Sequence, residues 1–189
     1  MKGVEVIDNF LPEEVHDEIY MAALGRGVPW RYNDYTLVAN KDDEEDLNNF
    51  QFVHGVYRNH KIYSEEGWLF VQPILRVINP TCLLRIKFNL RPRAHEITYQ
   101  DFHTDNKYKQ SMTGIYYVNT CDGYTEFENG FKVETVENRF LSFPSKYKHR
   151  GTNTTNAKCR VVFNFNWFDL ELFEGEKKSW DEKMMHPNY

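Results

Sequence analysis

The sequence predicts an α+β protein: helices first, then a β-rich half whose best form is a jelly roll. Three observations carry this. Helical patterns are confined to the stretch between Pro12 and Ile78, while short β-rich runs follow one another from Leu83 to Phe168. Aromatic residues make up 16% of the chain, with 12 Tyr and 14 Phe, and flat rings suit pleated, half-buried surfaces. Several of the β-rich runs are separated by Gly, Asn, Asp or Pro, as in a sandwich or barrel. The 189 residues favour a single domain, large enough to bury a core without staples. Within it, 1–82 reads as a mainly helical support and loop region, 83–170 as the jelly-roll core and 171–189 as a tail.

The elements follow in order. Val4 to Ile7 is a short β-like run ending in Asp8-Asn9. Pro12 with Glu13 and Glu14 marks a helix start, because proline tolerates the first turn and carboxylates suit the positive end of the dipole. Val15, Ile19, Ala22 and Ala23 then share one face, and Gly25-Arg26-Gly27 stops the helix. Residues 28–63 mix aromatics with the acidic run Asp42–Asp46. That run reads as a solvated loop or as a lid over a site. A second helical pattern spans Ser64 to Ile78, with Pro73 predicting a kink or a late start. The strands expected after it are Leu83–Leu90, Thr113–Val118, Tyr124–Phe127, Phe131–Val136, Arg139–Phe143 and Cys159–Phe168. Glu174–Tyr189 is polar.

Composition excludes several classes. A net charge of −5 and the lack of a basic run argue against nucleic-acid binding. Charge breaks up the N-terminus before a signal core forms, and no stretch nears the roughly 18 apolar residues of a membrane span. Cys82, Cys121 and Cys159 are odd in number and unpaired in spacing. A cytoplasmic protein is expected.

The chemistry begins at His103-Thr104-Asp105. In an extended segment residues two apart face the same way, so this imidazole and carboxylate can grip one ion. With seven His in the chain, such a pair arises readily by chance. Its weight comes from His149 and from Arg160 eleven positions later, on a strand where Val162, Asn164 and Asn166 alternate with apolar neighbours. Two His and one carboxylate form the ligand set of non-heme iron(II) oxygenases, which leaves positions open for substrate and oxygen. An inward arginine fork can bind the far carboxylate of a dicarboxylate. The remaining histidines, His16, His54, His60, His95 and His186, have no partner at ligand spacing and read as surface or packing. Ser142 and Ser145 lack a nucleophile-elbow pattern. Of the strand neighbours Tyr116 and Tyr117 at most one should line a pocket, and Asn89 is a further pocket candidate.

His103-x-Asp105, His149 and Arg160 together resemble the signature of the iron(II)- and 2-oxoglutarate-dependent dioxygenases, in their prolyl 4-hydroxylase-like branch. Ile7-Asp8-Asn9-Phe10-Leu11-Pro12-Glu13-Glu14 is similar to that branch's opening strand and helix. Tyr117-Val118-Asn119 and Asp122-Gly123-Tyr124-Thr125-Glu126-Phe127 are similar to its Tyr-Leu-Asn and Gly-Gly-x-Thr-x-Phe segments, and Asn166-Trp167-Phe168 to its closing strand. The resemblance implies a double-stranded β-helix (jelly-roll) core with N-terminal helices packed on one sheet. It implies that His103, Asp105 and His149 are catalytic metal ligands, and that Arg160, Tyr99, Tyr117 and Asn164 bind the co-substrate. Iron(II), 2-oxoglutarate and oxygen would then hydroxylate a C–H bond of a peptide, protein or small molecule, releasing succinate and carbon dioxide. Asp122 stands where the branch has the first glycine of its pair, and Arg160 where collagen-type prolyl hydroxylases carry lysine, so a prolyl residue is one candidate substrate among several. Two other readings stay open: a cupin-like metalloenzyme that uses no 2-oxoglutarate, and a non-catalytic jelly-roll binding module.

Overall fold

The computed structural model describes residues 2–36, 49–108 and 110–169. The acidic run Asp42–Asp46, His186 and the polar tail therefore lie outside the described residues. The chain opens with β1 (Glu5–Ile7) and α1 (Glu13–Leu24). Pro12 is the N-cap of α1, two carboxylates occupy its first turn, and Gly25 ends it by donating its N–H to the Met21 carbonyl. Three strands follow, β2 (Arg31–Asn33), β3 (Gln51–Arg58) and β4 (Lys61–Ile62). Then comes α2 (Glu65–Ile78), which starts without delay because the Ser64 hydroxyl accepts from the Gly67 N–H. Pro73 sits inside α2, and the residue whose carbonyl loses its partner, Leu69, is 68% exposed, so water can serve that carbonyl.

The second half is strand after strand: β5 (Cys82–Pro92), β6 (Ser111–Tyr117), β7 (Tyr124–Phe127), β8 (Lys132–Glu134), β9 (Arg139–Pro144), β10 (His149–Gly151) and β11 (Cys159–Phe168). They form an eight-stranded sheet in the order β1-β9-β6-β11-β5-β3-β2, with β4 on β3, and a three-stranded sheet β10-β7-β8. Each pairing between these strands is antiparallel. The architecture is α+β, with two helices among the described residues.

Alternation along the central strands places the site. On β11, Val161, Phe163, Phe165 and Trp167 join Ile86 and Phe88 of β5 and Tyr116 of β6 in the main core. Ile19 and Ala23 of α1 and Val71 and Ile74 of α2 belong to the same cluster. The intervening residues of β11, beginning with Arg160, face the other way. There Val162, Ile115, Tyr117, Leu141 and Phe143 pack with Phe127 and Val133 of the smaller sheet. The space between the sheets thus has one apolar half and one polar half.

The 28–63 segment differs from its sequence reading, since β3 pairs with β5 along nearly its whole length. Its pattern is hidden because two of its buried positions are polar. Gln51 is buried with its amide donating to the Thr36 carbonyl at 2.6 Å, and His54 is buried beside Phe88. A register shift between Gly55 and Tyr57 then breaks the period of two.

A buried polar clamp fastens α1 to the sheet. His16 Nδ1 lies 2.7 Å from the Tyr116 hydroxyl, which donates to Asn138 Oδ1 at 3.2 Å. Asn138 also accepts from the Leu11 N–H and donates to the Leu11 carbonyl. Burial pulls the His16 pKa below its ordinary value, although the Glu137 and Asp17 carboxylates oppose this. A depressed folded-state histidine contributes nothing above the unfolded pKa and destabilises as pH falls below it. Melting temperature should therefore drop between about pH 7 and pH 5, and His16→Gln should shrink that drop. An unchanged pH profile in the variant would exclude His16 as a contributor.

Candidate active site

His103 and His149 are joined before any ion is considered. The two residues form an isolated antiparallel bridge, each backbone N–H donating to the other's carbonyl at 3.0 Å. Their rings lie 4.8 Å apart between centroids. His103 Nδ1 is 3.0 Å from the Asp101 carbonyl and His149 Nδ1 is 3.3 Å from the Tyr147 carbonyl. A carbonyl only accepts, so both Nδ1 atoms carry the proton and both Nε2 lone pairs are left free. This is how outer contacts set a metal-binding tautomer.

Asp105 completes the group. One ligand atom from each of His103, Asp105 and His149 lies within 4.8 Å of the others. The Asp105 side chain is 4% exposed, with Arg85 at 3.4 Å on Oδ1 and the Asn166 amide donating to Oδ2 at 3.1 Å. Burial alone would raise its pKa. Arg85, then His149 and His103, and the Asn166 hydrogen bond outweigh burial and hold it well below the usual carboxylate range. Burial lowers the His149 pKa, against the pull of the Asp105 carboxylate, and Phe143 meets the ring edge-on at 4.8 Å. Two imidazoles and a carboxylate converging on one point suit a divalent ion of the imidazole-and-carboxylate class.

Arg160 lies on the same cavity, which has a volume of about 450 Å³, within the range of small-molecule sites. It is 4% exposed. Its Nε donates to Thr135 at 2.7 Å, one Nη to Thr125 at 3.1 Å and the other to the Thr152 carbonyl at 3.3 Å. Tyr117 lies beneath it, ring centroid 5.6 Å from the guanidinium carbon, and donates its own hydroxyl to Thr125 at 2.8 Å. Tyr116 points into the main core instead. A Cβ on Gly123 would stand 2.6 Å from Arg160 Cδ, so only glycine fits there. Asp122, just before it, binds the loop ahead of β11 by accepting from Thr154 Oγ1, Thr155 N and Thr155 Oγ1.

No protein-family model and no curated protein matches the sequence. Solved structures do match. A prolyl hydroxylase from Trichoplax adhaerens, in complex with a hypoxia inducible factor oxygen degradation domain peptide fragment, aligns with TM-score 0.64 over 91% of this chain and 86% of its own, at 17% identity. The chain has their fold. The non-heme alpha ketoglutarate dependent epimerase SnoN from nogalamycin biosynthesis gives TM-score 0.62 over 88% of this chain and 76% of its own, at 10% identity. A prolyl-4-hydroxylase from Pseudomonas putida gives 0.56 over 88% and 92%, at 13% identity.

Not every residue named from the sequence reaches the cavity. His103, Asp105, His149, Arg160, Asn164 and Asn89 line it. Tyr99 is 50% exposed and stacks on Arg150, 4.3 Å from ring to guanidinium, with its hydroxyl 3.3 Å from that of Tyr124. His16 and His54 are buried packing residues, while His60 and His95 are exposed. Sequence reasoning missed Arg85, Lys87 and Arg91, which line the wall along β5. Their signal was present, since Arg85-Ile86-Lys87-Phe88-Asn89-Leu90-Arg91 alternates polar and apolar without a break.

Proposed function

We propose that this chain is an iron(II)- and 2-oxoglutarate-dependent oxygenase that hydroxylates a C–H bond, forming succinate and carbon dioxide. One observation carries the reading: a buried arginine fork and a two-histidine, one-carboxylate group face a single cavity between the sheets. Neither half alone calls for this chemistry. Together they match a dicarboxylate held at one end by Arg160 while its keto-acid end reaches a metal held by His103, Asp105 and His149. The two facing sheets are read as a jelly roll, or double-stranded β-helix, with α1 and α2 packed on the outer face of the larger one. Three free cysteines suit a reducing compartment, so the cytoplasm is the proposed location.

When bound, the iron and the keto acid supply the oxygen-activating chemistry. The chain's own residues do the rest. The Asp101 and Tyr147 carbonyls hold the two imidazoles in the ligating tautomer, and Arg85 and Asn166 hold the Asp105 carboxylate ionised and oriented. Phe127 and Phe143 keep water from the His149 side. Tyr117 and Thr125 fix the Arg160 fork. Asn164, whose buried Oδ1 has no protein partner among the described residues, is placed to meet co-substrate or water near the metal.

Adding iron(II) and 2-oxoglutarate without oxygen should give the weak visible absorption of a metal-chelated keto acid. Admitting air with a panel of prolyl peptides and small molecules should then release succinate. A binding module would show no absorption, and a metalloenzyme of another type would turn over without any keto acid; either result defeats the reading.

A further inference from the structure

The inward row of β5 carries more positive charge than the proposed chemistry uses. Arg85, Lys87 and Arg91 line the cavity at alternate positions, and Arg160 faces it from β11. Arg160 and Arg91 are direct ladder partners, an arrangement that is unfavourable unless something negative lies nearby. Against these four cations the described lining offers two carboxylates, Asp101 and Asp105, which leaves a formal excess of two positive charges. The chain as a whole is at −5, so this concentration is local. Iron(II) and the 2-oxoglutarate dianion cancel each other and leave the excess in place.

The four cations are not equivalent. Arg85 is committed to Asp105 at 3.4 Å, Arg91 donates to Thr98 at 3.0 Å, and Arg160 serves the co-substrate in the proposed function. Lys87 makes no hydrogen bond or ion pair among the described residues. It sits one inward step from Arg85 and directly opposite Asn164 in the ladder. Burial first, then the Arg85 charge, pulls its ammonium down to about 8, with Asp105 opposing, so at neutral pH it remains mostly protonated in a poorly hydrated wall. Beside it, the buried Oδ1 atoms of Asn89 and Asn164 also lack protein partners. A half-buried lysine facing open space, with unpartnered amide oxygens beside it, is the chemistry of a site awaiting an anion that also donates hydrogen bonds.

We propose that the oxidised substrate is itself anionic, presenting a carboxylate or phosphate to Lys87 on the β5 wall, apart from the co-substrate carboxylate at Arg160. A hydroxyl or amide of the same substrate engages Asn89, while Asn164 stays with the co-substrate or its water. A neutral prolyl segment would leave the Lys87 charge uncompensated. This inference rests on the oxygenase reading, and the test separates the two.

The test uses protein loaded with Mn(II) in place of iron and saturated with 2-oxoglutarate, titrated with inorganic phosphate. Binding is read from paramagnetic broadening of the phosphate phosphorus resonance. Wild type should broaden the line saturably without releasing 2-oxoglutarate. Lys87→Met should weaken phosphate by about tenfold or more, the fold-change of a lost charge-assisted hydrogen bond. Lys87→Arg should restore it, and 2-oxoglutarate affinity should stay within about twofold in both variants. Three results overturn the inference: phosphate displacing 2-oxoglutarate, Lys87→Met weakening both ligands equally, or Lys87→Met leaving phosphate unaffected. If Mn(II)-loaded protein fails to bind 2-oxoglutarate at all, the oxygenase reading falls instead, and phosphate titration of the metal-loaded protein still decides the role of Lys87.

Discussion

Asp105→Asn is expected to abolish succinate formation and to weaken divalent-metal binding by more than about 100-fold, beyond the loss typical of outer-shell changes. The substitution is nearly isosteric. An asparagine oxygen can still accept from the Asn166 amide, which reaches Asp105 Oδ2 at 3.1 Å. What disappears is the charge that Arg85, His149 and His103 keep in place against burial. Arg85 is left without its carboxylate, but its side chain is 27% exposed and can turn to water. The metal-free variant should therefore melt close to wild type while failing to retain iron(II) or Mn(II) on dialysis. Wild-type metal affinity in a folded Asp105→Asn protein would remove the triad from consideration. The same comparison separates a site built for an ion from three polar residues that merely pack.

The second large effect is expected at Arg160. Arg160→Met should raise the dissociation constant of 2-oxoglutarate by a factor of tens to thousands. That range corresponds to the roughly 2–5 kcal/mol lost when one partner of a buried, hydrogen-bonded charge pair is truncated. Stability should behave differently. Without a ligand, Arg160 is a buried cation whose donors reach two hydroxyls and a carbonyl but no carboxylate. Burial pulls its pKa below the ordinary arginine value. A methionine of similar length removes that burden, so the ligand-free variant should be about as stable as wild type. The diagnostic quantity is the thermal shift on adding 2-oxoglutarate to metal-loaded protein, large for wild type and absent for Arg160→Met. Equal shifts in both proteins would place the co-substrate elsewhere.

Much of this was legible in the sequence, and the failures have physical causes. Helix α1 announced itself by Pro12, its two following glutamates and Gly25, all local signals. Strands β7 and β11 appear with the bounds that their composition implied. Strand β3 was opaque because Gln51 and His54 occupy buried positions that a pattern reader assigns to solvent. Their burial depends on Thr36 and Phe88, one from a distant loop and one from another strand. His103, Asp105, His149 and Arg160 could be named as a set, yet the backbone bridge between the two histidines is a tertiary fact with no sequence trace. Tyr99 illustrates the opposite limit. The resemblance implied a place by the co-substrate; in the fold its ring is half exposed and stacks on the Arg150 guanidinium, itself anchored by Glu126 at 2.6 Å.

The alternation on β5 and β11 has a consequence for how such a protein can change over time. Every odd position from Arg85 to Arg91 meets the ligand space, and every even one meets the core. Substitutions at Lys87 or Asn89 can therefore rewrite which molecule is accepted while Ile86 and Phe88 go on holding the sheet to the helices. Loss or gain of a single residue in either strand would exchange the two sets at once, carrying phenylalanines into the cavity and arginines into the core. Variation in these strands is thus free in letter and fixed in length. A family of such chains should diversify its substrates by point substitution at alternate positions, and place its insertions in the connections between strands.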